Sequence, residues 1–291
     1  MLLVGTSSGL FDLDGGEALV EGDSVTALAK GCGYLWALLG GHRVVRISSA
    51  GPEAIGHLSE SDGQSLSALS DDSVIVGLRG ARLVRMSRSG VDALSSFEQV
   101  PGRGDWENPA GPTPDSRSIA TSPGGRLWVN IHVGGVWSSD DVGETWSCAV
   151  EPSSDVHQVV AVDDTRAAVA AAVGFGWVDG EQWAWTKAGL HASYLRATTL
   201  DNGYVFVTAS TGPFTDKAAV YRAALGSDFV RCEQGLPEWF RSNIDTGCLA
   251  ASRGRVAFGT RDGTVYHSAN GGSSFEVASQ GMSPVSAVQL A

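Results

Sequence analysis

The sequence has little charge, and most of the charge it has is acidic. Charged residues make up 18% of the 291 residues, and the formal net charge is −12. So small a charged fraction excludes a long coiled coil and a charge-rich disordered chain. An acidic chain is repelled by nucleic acids and anionic membranes. We therefore expect no nucleic-acid partner and no membrane partner.

Long hydrophobic runs and paired cysteines are also missing. No apolar run reaches the ~18 residues that a membrane-spanning helix needs. Residues 1–10 carry no basic segment before an apolar stretch, so they predict a strand and a turn rather than a signal peptide. The four cysteines are scattered without a Cys-x-x-Cys motif, which favours reduced thiols. Together these absences predict a cytoplasmic protein.

The sequence is rich in glycine and in short apolar segments. Gly accounts for 38 of the 291 residues, which is about twice the usual share. A unit of three short strands with small turns recurs, and six copies lie between about residues 24 and 279. In the clearest copy, the strands 255–260 and 264–268 flank the turn Arg261-Asp262-Gly263. Short strands with glycine turns at a period of roughly 40 residues predict a β-propeller.

The two ends of the chain supply one further copy of the unit. Segment 2–13 matches its second and third strands, and segment 285–289 matches a first strand. Joined, these segments form one blade, which removes the open edges of a linear array. We therefore predict an all-β fold, a single seven-bladed β-propeller domain over residues 1–291 that is closed by the C-terminal strand joining the N-terminal blade; six or eight blades are the alternatives. The predicted blades cover 284–291 with 1–22, 23–59, 64–100, 117–150, 155–188, 194–233 and 244–279.

Two segments share a turn motif. Residues 139–146 fit Ser-x-Asp-x-Gly-x-Thr-Trp, and residues 268–275 fit it with Asn for Asp and Phe for Trp. We expect the Asp or Asn side chain to accept hydrogen bonds from the turn and the Gly to adopt a positive φ. The motif resembles the Asp-box, or BNR, repeat, which lies between the third and fourth strands of a blade. Its role is structural.

As a whole, the chain is similar to bacterial WD40/YVTN/BNR-like β-propeller proteins. Besides the Asp-box segments, residues 130–135, 155–158 and 235–240 carry the resemblance. A sialidase resemblance would imply six blades, an Arg-Ile-Pro motif, three arginines on a carboxylate and a tyrosine nucleophile. No Arg-Ile-Pro occurs in the sequence, so sialic-acid hydrolysis is not expected. The resemblance thus implies a fold and no particular activity.

A binding face is expected where the connections between blades meet the turns between second and third strands. A single His or Arg at a strand end is usually structural, but many converge at these positions. The candidate ligand-binding residues are Arg117, Tyr194, Arg196, Arg79, His42, Gln158, Arg261 and His191. Two long loops, 101–116 and 235–243, add Trp106, Trp239 and Phe240 as aromatic residues expected to be exposed. We predict a ligand pocket over the fourth to seventh blades.

The candidate catalytic residues are His132, His157, Asp155 and Asp245. His132 and His157 come from adjacent blades, and Asp155 lies two residues before His157. This set predicts either general acid/base catalysis or a site for one divalent metal ion held by His132 and His157 with a carboxylate.

Three functions are compatible with this set. The first is a hydrolase or lyase acting on a small molecule. The second is a non-catalytic propeller that binds a protein or peptide partner through the Trp106 and Trp239 loops. The third is a carbohydrate-binding or glycosidase-like protein, for which Asp155 and Asp245 are the candidate carboxyl pair.

Overall fold

The protein is described by a computed structural model over residues 1–48 and 50–291. Its strands form seven antiparallel sheets of four strands each. Apart from two short 3-10 helices, the described chain has no helix. The fold is a seven-bladed β-propeller, and this confirms the predicted fold class.

The sheets follow one another along the chain. The first contains β1 (Leu2–Thr6), β2 (Gly9–Asp12), β3 (Glu17–Glu21) and β28 (Val285–Leu290). The second contains β4 (Val25–Gly31), β5 (Tyr34–Leu39), β6 (Arg43–Ser48) and β7 (Gly51–His57), and the third β8 (Gly63–Ala68), β9 (Ser73–Leu78), β10 (Arg82–Ser87) and β11 (Gly90–Ala93). The 3-10 helices Ser95–Gln99 and Arg103–Asp105 follow the third sheet.

The remaining sheets have the same order. The fourth contains β12 (Ser116–Thr121), β13 (Leu127–Ile131), β14 (Val136–Ser139) and β15 (Ser147–Val150), and the fifth β16 (Val156–Ala161), β17 (Arg166–Ala171), β18 (Gly174–Asp179) and β19 (Gln182–Thr186). The sixth contains β20 (Tyr194–Asp201), β21 (Tyr204–Ser210), β22 (Ala218–Ala224) and β23 (Val230–Arg231), and the seventh β24 (Leu249–Ser252), β25 (Arg255–Gly259), β26 (Val265–Ser268) and β27 (Glu276–Ser279).

The C-terminal strand completes the N-terminal sheet. β28 pairs antiparallel with β1, with Leu2 opposite Leu290 and Val4 opposite Val288. All four of these side chains are buried. Closing the sheet in this way pairs an edge that β1 would otherwise leave open. The predicted closure between the two ends of the chain is therefore confirmed.

Burial changes from the second to the fourth strand of a blade. β9 and β13 are buried along their whole length, whereas β11 is exposed along its whole length. The second strands can be buried on both faces because they are nearly continuous runs of Val, Leu, Ile and Ala. The fourth strands are exposed or half-buried at most positions, although Ala149 and Val150 of β15 are buried.

The turns between third and fourth strands carry the two Ser-x-Asp motifs. Asp141 accepts hydrogen bonds from the Thr145 N–H at 2.9 Å and from the Thr145 hydroxyl at 2.6 Å. Mainly because of these bonds, the pKa of Asp141 is lowered to about 2. Gly143 has a φ of +91°, and in the second copy Asn270 accepts from the Ser274 N–H at 3.0 Å. The motif closes its turn by the hydrogen bonds expected of it.

The described residues divide between two compact units, and the fifth blade contributes to both. The terminal unit comprises Met1–Val25, Ala170–Gly176 and Trp185–Ala291, and the central unit comprises Thr26–Val169 and Trp177–Ala184. Each unit has an apolar core of its own, built around Phe206 and Phe258 in the terminal unit and Trp36 in the central unit. The single domain and its blade limits stay predictions. No helix among the described residues is long and apolar enough to cross a membrane.

Candidate functional site

The central unit brings three predicted catalytic residues together. His132 follows β13, and Asp155 and His157 lie at the start of β16. Val133, the residue after His132, forms isolated β-bridges with Asp155 on one side and with Glu107 on the other. The Asn130 side chain adds a hydrogen bond to the Val156 carbonyl at 2.8 Å. Backbone pairing and a buried amide therefore hold the two histidines beside each other.

Asp155 lies between the two imidazoles. Its Oδ1 is 3.3 Å from Nε2 of His132 and 3.1 Å from Nε2 of His157. The His157 side chain is fully buried and that of His132 is 7% exposed, whereas that of Asp155 is 31% exposed. Although both nitrogens are close, Oδ1 of Asp155 is buried and accepts no aligned hydrogen bond from the described residues. The cluster thus opens to solvent on the side of Asp155.

The proton on His132 is located by its neighbours. Asn108 Oδ1, which can only accept, lies 3.1 Å from His132 Nδ1, so Nδ1 carries a proton and donates to it. Arg117 Nη1 lies 3.0 Å from Nε2 and 3.3 Å from Nδ1 of the same ring. The Asn108 amide donates in turn to Asp115 Oδ2 at 2.8 Å. The lone pair of Nε2 consequently points toward Asp155 and Arg117.

Electrostatics keep Asp155 ionised. Burial disfavours its charged form, but the contact with His157 and the charges of His157, His132 and Arg117 outweigh burial and lower the pKa of Asp155. In contrast, burial raises the pKa of Asp115, despite the opposing charges of Arg79 and Arg117. The cluster therefore presents an ionised carboxylate beside two imidazoles.

These atoms form a donor set that suits a divalent cation. His132, Asp155 and His157 each offer one ligand atom, and the three atoms lie within 4.8 Å of one another. In tetrahedral coordination with bonds of ~2.0–2.2 Å, neighbouring ligand atoms are about 3.3–3.6 Å apart. The two distances to Asp155 Oδ1, 3.1 and 3.3 Å, are close to the lower end of that range.

A second cluster of predicted residues lies in the terminal unit. Arg196 Nη1 donates to Asp245 Oδ1 at 2.8 Å, and Arg196 Nη2 donates to the Tyr194 hydroxyl at 3.3 Å. Arg261 approaches the other oxygen of Asp245 at 3.6 Å. Asp245 is thus an ion-pair partner of two arginines. These two guanidiniums carry only donors, so this cluster differs chemically from the histidine cluster.

His191 has a structural position in the same unit. Its Nδ1 lies 2.9 Å from the Tyr221 hydroxyl and its Nε2 lies 3.1 Å from the Lys217 carbonyl. The carbonyl can only accept, so Nε2 carries a proton and Nδ1 accepts from Tyr221. Burial lowers the pKa of His191. The Trp239 ring lies 4.7 Å from the imidazole, and His191 and Tyr194 border a cavity of about 670 Å³.

The expectation of exposed aromatic residues on the long loops is wrong for two of three. Trp106 is 5% exposed, because loop 101–116 folds back and packs its indole against Phe97 and Trp137. Phe240 is 8% exposed, because backbone bonds to Ala218 fix it over the seventh blade. Trp239 is half-buried, with its ring under the Arg231 guanidinium at 4.0 Å.

The other predicted residues are less closely tied to the two clusters. His42 lies beside Gly40 and Ser61, with ring nitrogen distances of 3.1 and 3.4 Å. Arg79 pairs with Asp115 through an isolated bridge, and Gln158 is a half-buried neighbour of His157 on β16. Asp155 and Asp245 belong to different units. Their pairing, and one pocket over four blades, stay predictions.

Sequence reasoning missed four residues of these clusters: Asn108, Asp115, Phe214 and Arg241. Asn108 and Asp115 lie in the long loop 101–116, but nothing in the sequence marks them as partners of His132. Phe214 is 98% exposed, and with Arg241 it lines a cavity beside Arg196.

Comparison with known proteins supports the fold alone. No protein-family model and no curated protein matches the chain. A GH74 xyloglucanase from Xanthomonas campestris is 14% identical over 87% of this chain and 45% of that chain, with a TM-score of 0.58. A GH74 enzyme from Niastella koreensis is 13% identical over 94% and 46%, with a TM-score of 0.62. YCF48 bound to D1 peptide is 14% identical over 79% and 76%, with a TM-score of 0.52.

The chain therefore shares its fold with β-propeller proteins of unlike function. It spans less than half of each GH74 structure. At identities this low, a shared propeller says nothing about activity, because functional sites are grafted onto common folds.

Proposed function

We propose that the protein is a metal-dependent hydrolase or lyase that acts on a small molecule, with one divalent ion held by His132, Asp155 and His157. The observation that supports this most is the Asp155 carboxylate oxygen, which is buried between two imidazole nitrogens and accepts no aligned hydrogen bond from the described residues. A buried polar atom without a bond is costly. A cation at this position would remove that cost.

The neighbouring residues suit this role. Asn108 Oδ1 accepts a hydrogen bond from His132 Nδ1–H, which leaves Nε2 as the ligand atom; metal-bound histidines commonly donate their other ring N–H in this way. Arg117 would hold a substrate oxygen once it turns away from His132. When bound, a zinc ion would lower the pKa of a coordinated water to about 7. Substrate would approach from the exposed side of Asp155.

Metal loading tests the proposal directly. The purified protein is incubated with Zn²⁺ or Co²⁺, dialysed and measured by elemental analysis. We expect one ion per chain, and visible absorption of the Co²⁺ form from a site with nitrogen and oxygen ligands. Asp155→Asn, His132→Ala and His157→Ala should each lose the ion. Hydrolysis of an activated ester such as p-nitrophenyl acetate should fall in parallel.

His57→Ala is the matched control, because His57 is exposed and lies outside the cluster. It should retain one ion per chain and the same ester hydrolysis. Absence of bound metal at micromolar Zn²⁺, or equal metal content in the control and the three cluster variants, would refute the metal site. General acid/base catalysis by His132 and His157 would then be the version left to test.

The other two functions have less support. Burial of Trp106 and Phe240 removes two of the three aromatic anchors of the protein-partner hypothesis. The YCF48 structure contains a peptide and the GH74 proteins are named as glycoside-acting enzymes, but the likeness extends to the fold alone. Membership of the BNR group and a cytoplasmic location likewise stay proposals.

A further inference from the structure

A cavity of about 240 Å³ in the terminal unit has an unusual lining. Its functional side chains are Arg196, Phe214, Arg241, Asn243, Asp245 and Arg261. They come from four segments, namely the first strand of the sixth blade, the loop 210–217, the connection into the seventh blade, and the turn between β25 and β26. All belong to the terminal unit. Nothing in the cavity contributes to the histidine cluster.

The cavity is positive in an acidic protein. Three arginines line it and one aspartate, whereas the whole chain has a net charge of −12. Asp245 is shared between Arg196 and Arg261, with distances of 2.8 and 3.6 Å. Among the described residues, Arg241 makes no hydrogen bond or ion pair. One carboxylate therefore cannot neutralise the arginines, and donors remain for a second anion.

The Arg196 guanidinium, which lines this cavity, is held in place by hydrogen bonds. Asp245 and the Tyr194 hydroxyl hold its two terminal nitrogens, while its Nε is buried without a hydrogen-bond acceptor in the described chain. Arg241 and Arg261 are exposed, and the Arg261 side chain is 72% exposed. Two exposed guanidiniums beside a third that is held in place offer donors to a carboxylate.

Phe214 adds an apolar surface at the rim. It is 98% exposed, although the loop that carries it is tied down. The Asn243 amide donates to the carbonyls of Gly212 and Pro213 at 3.1 and 3.0 Å, and the hydroxyls of Thr211 and Thr215 lie 2.8 Å apart. The loop therefore holds an exposed phenyl ring beside a set of guanidiniums, so an apolar surface and anion-binding donors are available to the same ligand.

We propose that this cavity binds a small ring-bearing carboxylate, with the carboxylate between Arg241 and Arg261 and the ring packed on Phe214. Each feature of the lining matches one part of such a ligand. A metal ion is disfavoured there because the guanidiniums repel it. The proposal is independent of the metal site, since no residue is shared.

Calorimetric titration of the full chain with benzoate tests this assignment, with acetate, D-glucuronate and inorganic phosphate as comparison ligands. We expect saturable benzoate binding and at least ~10-fold weaker acetate binding, because acetate has no ring to cover Phe214. Comparison of the glucuronate and benzoate affinities shows whether the site distinguishes a sugar ring from an aromatic ring. Arg241→Gln and Arg261→Gln should each weaken benzoate binding about 10-fold. Phe214→Ala should reduce the preference for benzoate over acetate.

Two substitutions serve as controls because they change exposed residues outside the cavity. Arg253→Gln removes one positive charge from an exposed residue, as the two arginine variants do. Val230→Ala removes an apolar side chain from a residue that is 64% exposed. Both should bind benzoate like the native protein. The arginine and phenylalanine variants should melt within a few degrees of the native protein, since their side chains are exposed.

Three results would overturn the proposal. The first is no saturable benzoate binding by the folded native protein. The second is equal binding by the two arginine variants and the Arg253→Gln control, which would indicate attraction by bulk charge. The third is binding of phosphate and acetate as tightly as benzoate with no effect of Phe214→Ala, which would indicate a site for any small anion. None of these results depends on whether the histidine cluster binds metal.

Discussion

Arg117 and Arg196 occupy equivalent places in two blades and serve different sites. Each lies at a β-bulge in the first strand of its blade, β12 or β20. A bulge adds one residue and redirects its side chain, and bulges are frequent beside functional sites. Each arginine also lies near an aspartate from the connection into the next blade, Asp155 for Arg117 and Asp245 for Arg196. The two arginines therefore share the same backbone setting, a bulge in a first strand beside an aspartate from the next connection.

The two clusters differ in the basic side chains that surround their aspartates. Asp155 is flanked by two imidazoles, and Asp245 by two guanidiniums. A neutral imidazole retains a lone pair for a metal ion, whereas a guanidinium has donors alone and attracts anions. An aspartate at a blade connection can therefore help to bind a cation or restrain an anion site, according to which basic side chains surround it.

The largest expected difference concerns the loops over the two clusters. Trp106 fills the core beneath loop 101–116, whereas Phe214 projects into solvent from loop 210–217. Trp106→Ala should lower the free energy of unfolding by about 3–5 kcal/mol, because it leaves a large cavity. Phe214→Ala should change it by less than about 0.5 kcal/mol. Urea denaturation of both variants measures the contrast.

Trp183→Ala provides a control, because Trp183 is a tryptophan at 39% exposure on β19. It should have a small effect, like Phe214→Ala. If Trp106→Ala were as mild as Trp183→Ala, loop 101–116 would not be packed as described. The positions of Asn108 and Asp115 would then be in question as well.

Replacement of Asp155 by asparagine should affect zinc binding and benzoate binding differently. Asp155→Asn removes the carboxylate ligand and should weaken Zn²⁺ binding about 100-fold, or about 2.7 kcal/mol. It should leave benzoate binding unchanged. Competition with a chromogenic chelator gives the zinc affinity, and calorimetry gives the benzoate affinity. A loss of both affinities would mean that the two clusters are not independent.

Removal of the Arg117 charge should raise zinc affinity, whereas Asp155→Asn should lower it. Arg117 places a positive charge 3.0 Å from the Nε2 lone pair that a metal ion would use. Arg117→Met keeps the length of the side chain but not the charge, so zinc affinity should rise about 10-fold. Arg196→Met should leave zinc affinity unchanged. Weaker zinc binding in Arg117→Met would show that the guanidinium positions His132 rather than competing for it.

Sequence reasoning located the backbone better than the side chains. The seven blades and the closing pair of β1 and β28 could be predicted because strand repeats and glycine turns are local patterns. The association of His132, Asp155 and His157 also followed, since the propeller order alone brings the ends of adjacent blades together. These predictions needed no knowledge of side-chain packing.

The surroundings of the site could not be obtained in the same way. Trp106 was expected to be exposed because it lies on a long loop between blades, but burial depends on how the loop folds back onto Phe97. The bulge at Arg117 has no marker in the sequence Ser-Arg-Ser. Asn108 reaches His132 across 24 positions of the chain. Such contacts depend on tertiary structure, which local patterns do not record.

The smallest expected effect tests the charge balance of the arginine cluster. Asp245→Asn removes the one carboxylate that lines the cavity beside three arginines, so benzoate affinity should rise about 3-fold. The gain is modest because both ion pairs of Asp245 are partly exposed and are screened by salt. It should shrink further at 0.5 M NaCl. A fall in benzoate affinity instead would mean that Asp245 acts by positioning Arg196 and Arg261, and Asp245→Glu, which restores the charge, should then recover part of the binding.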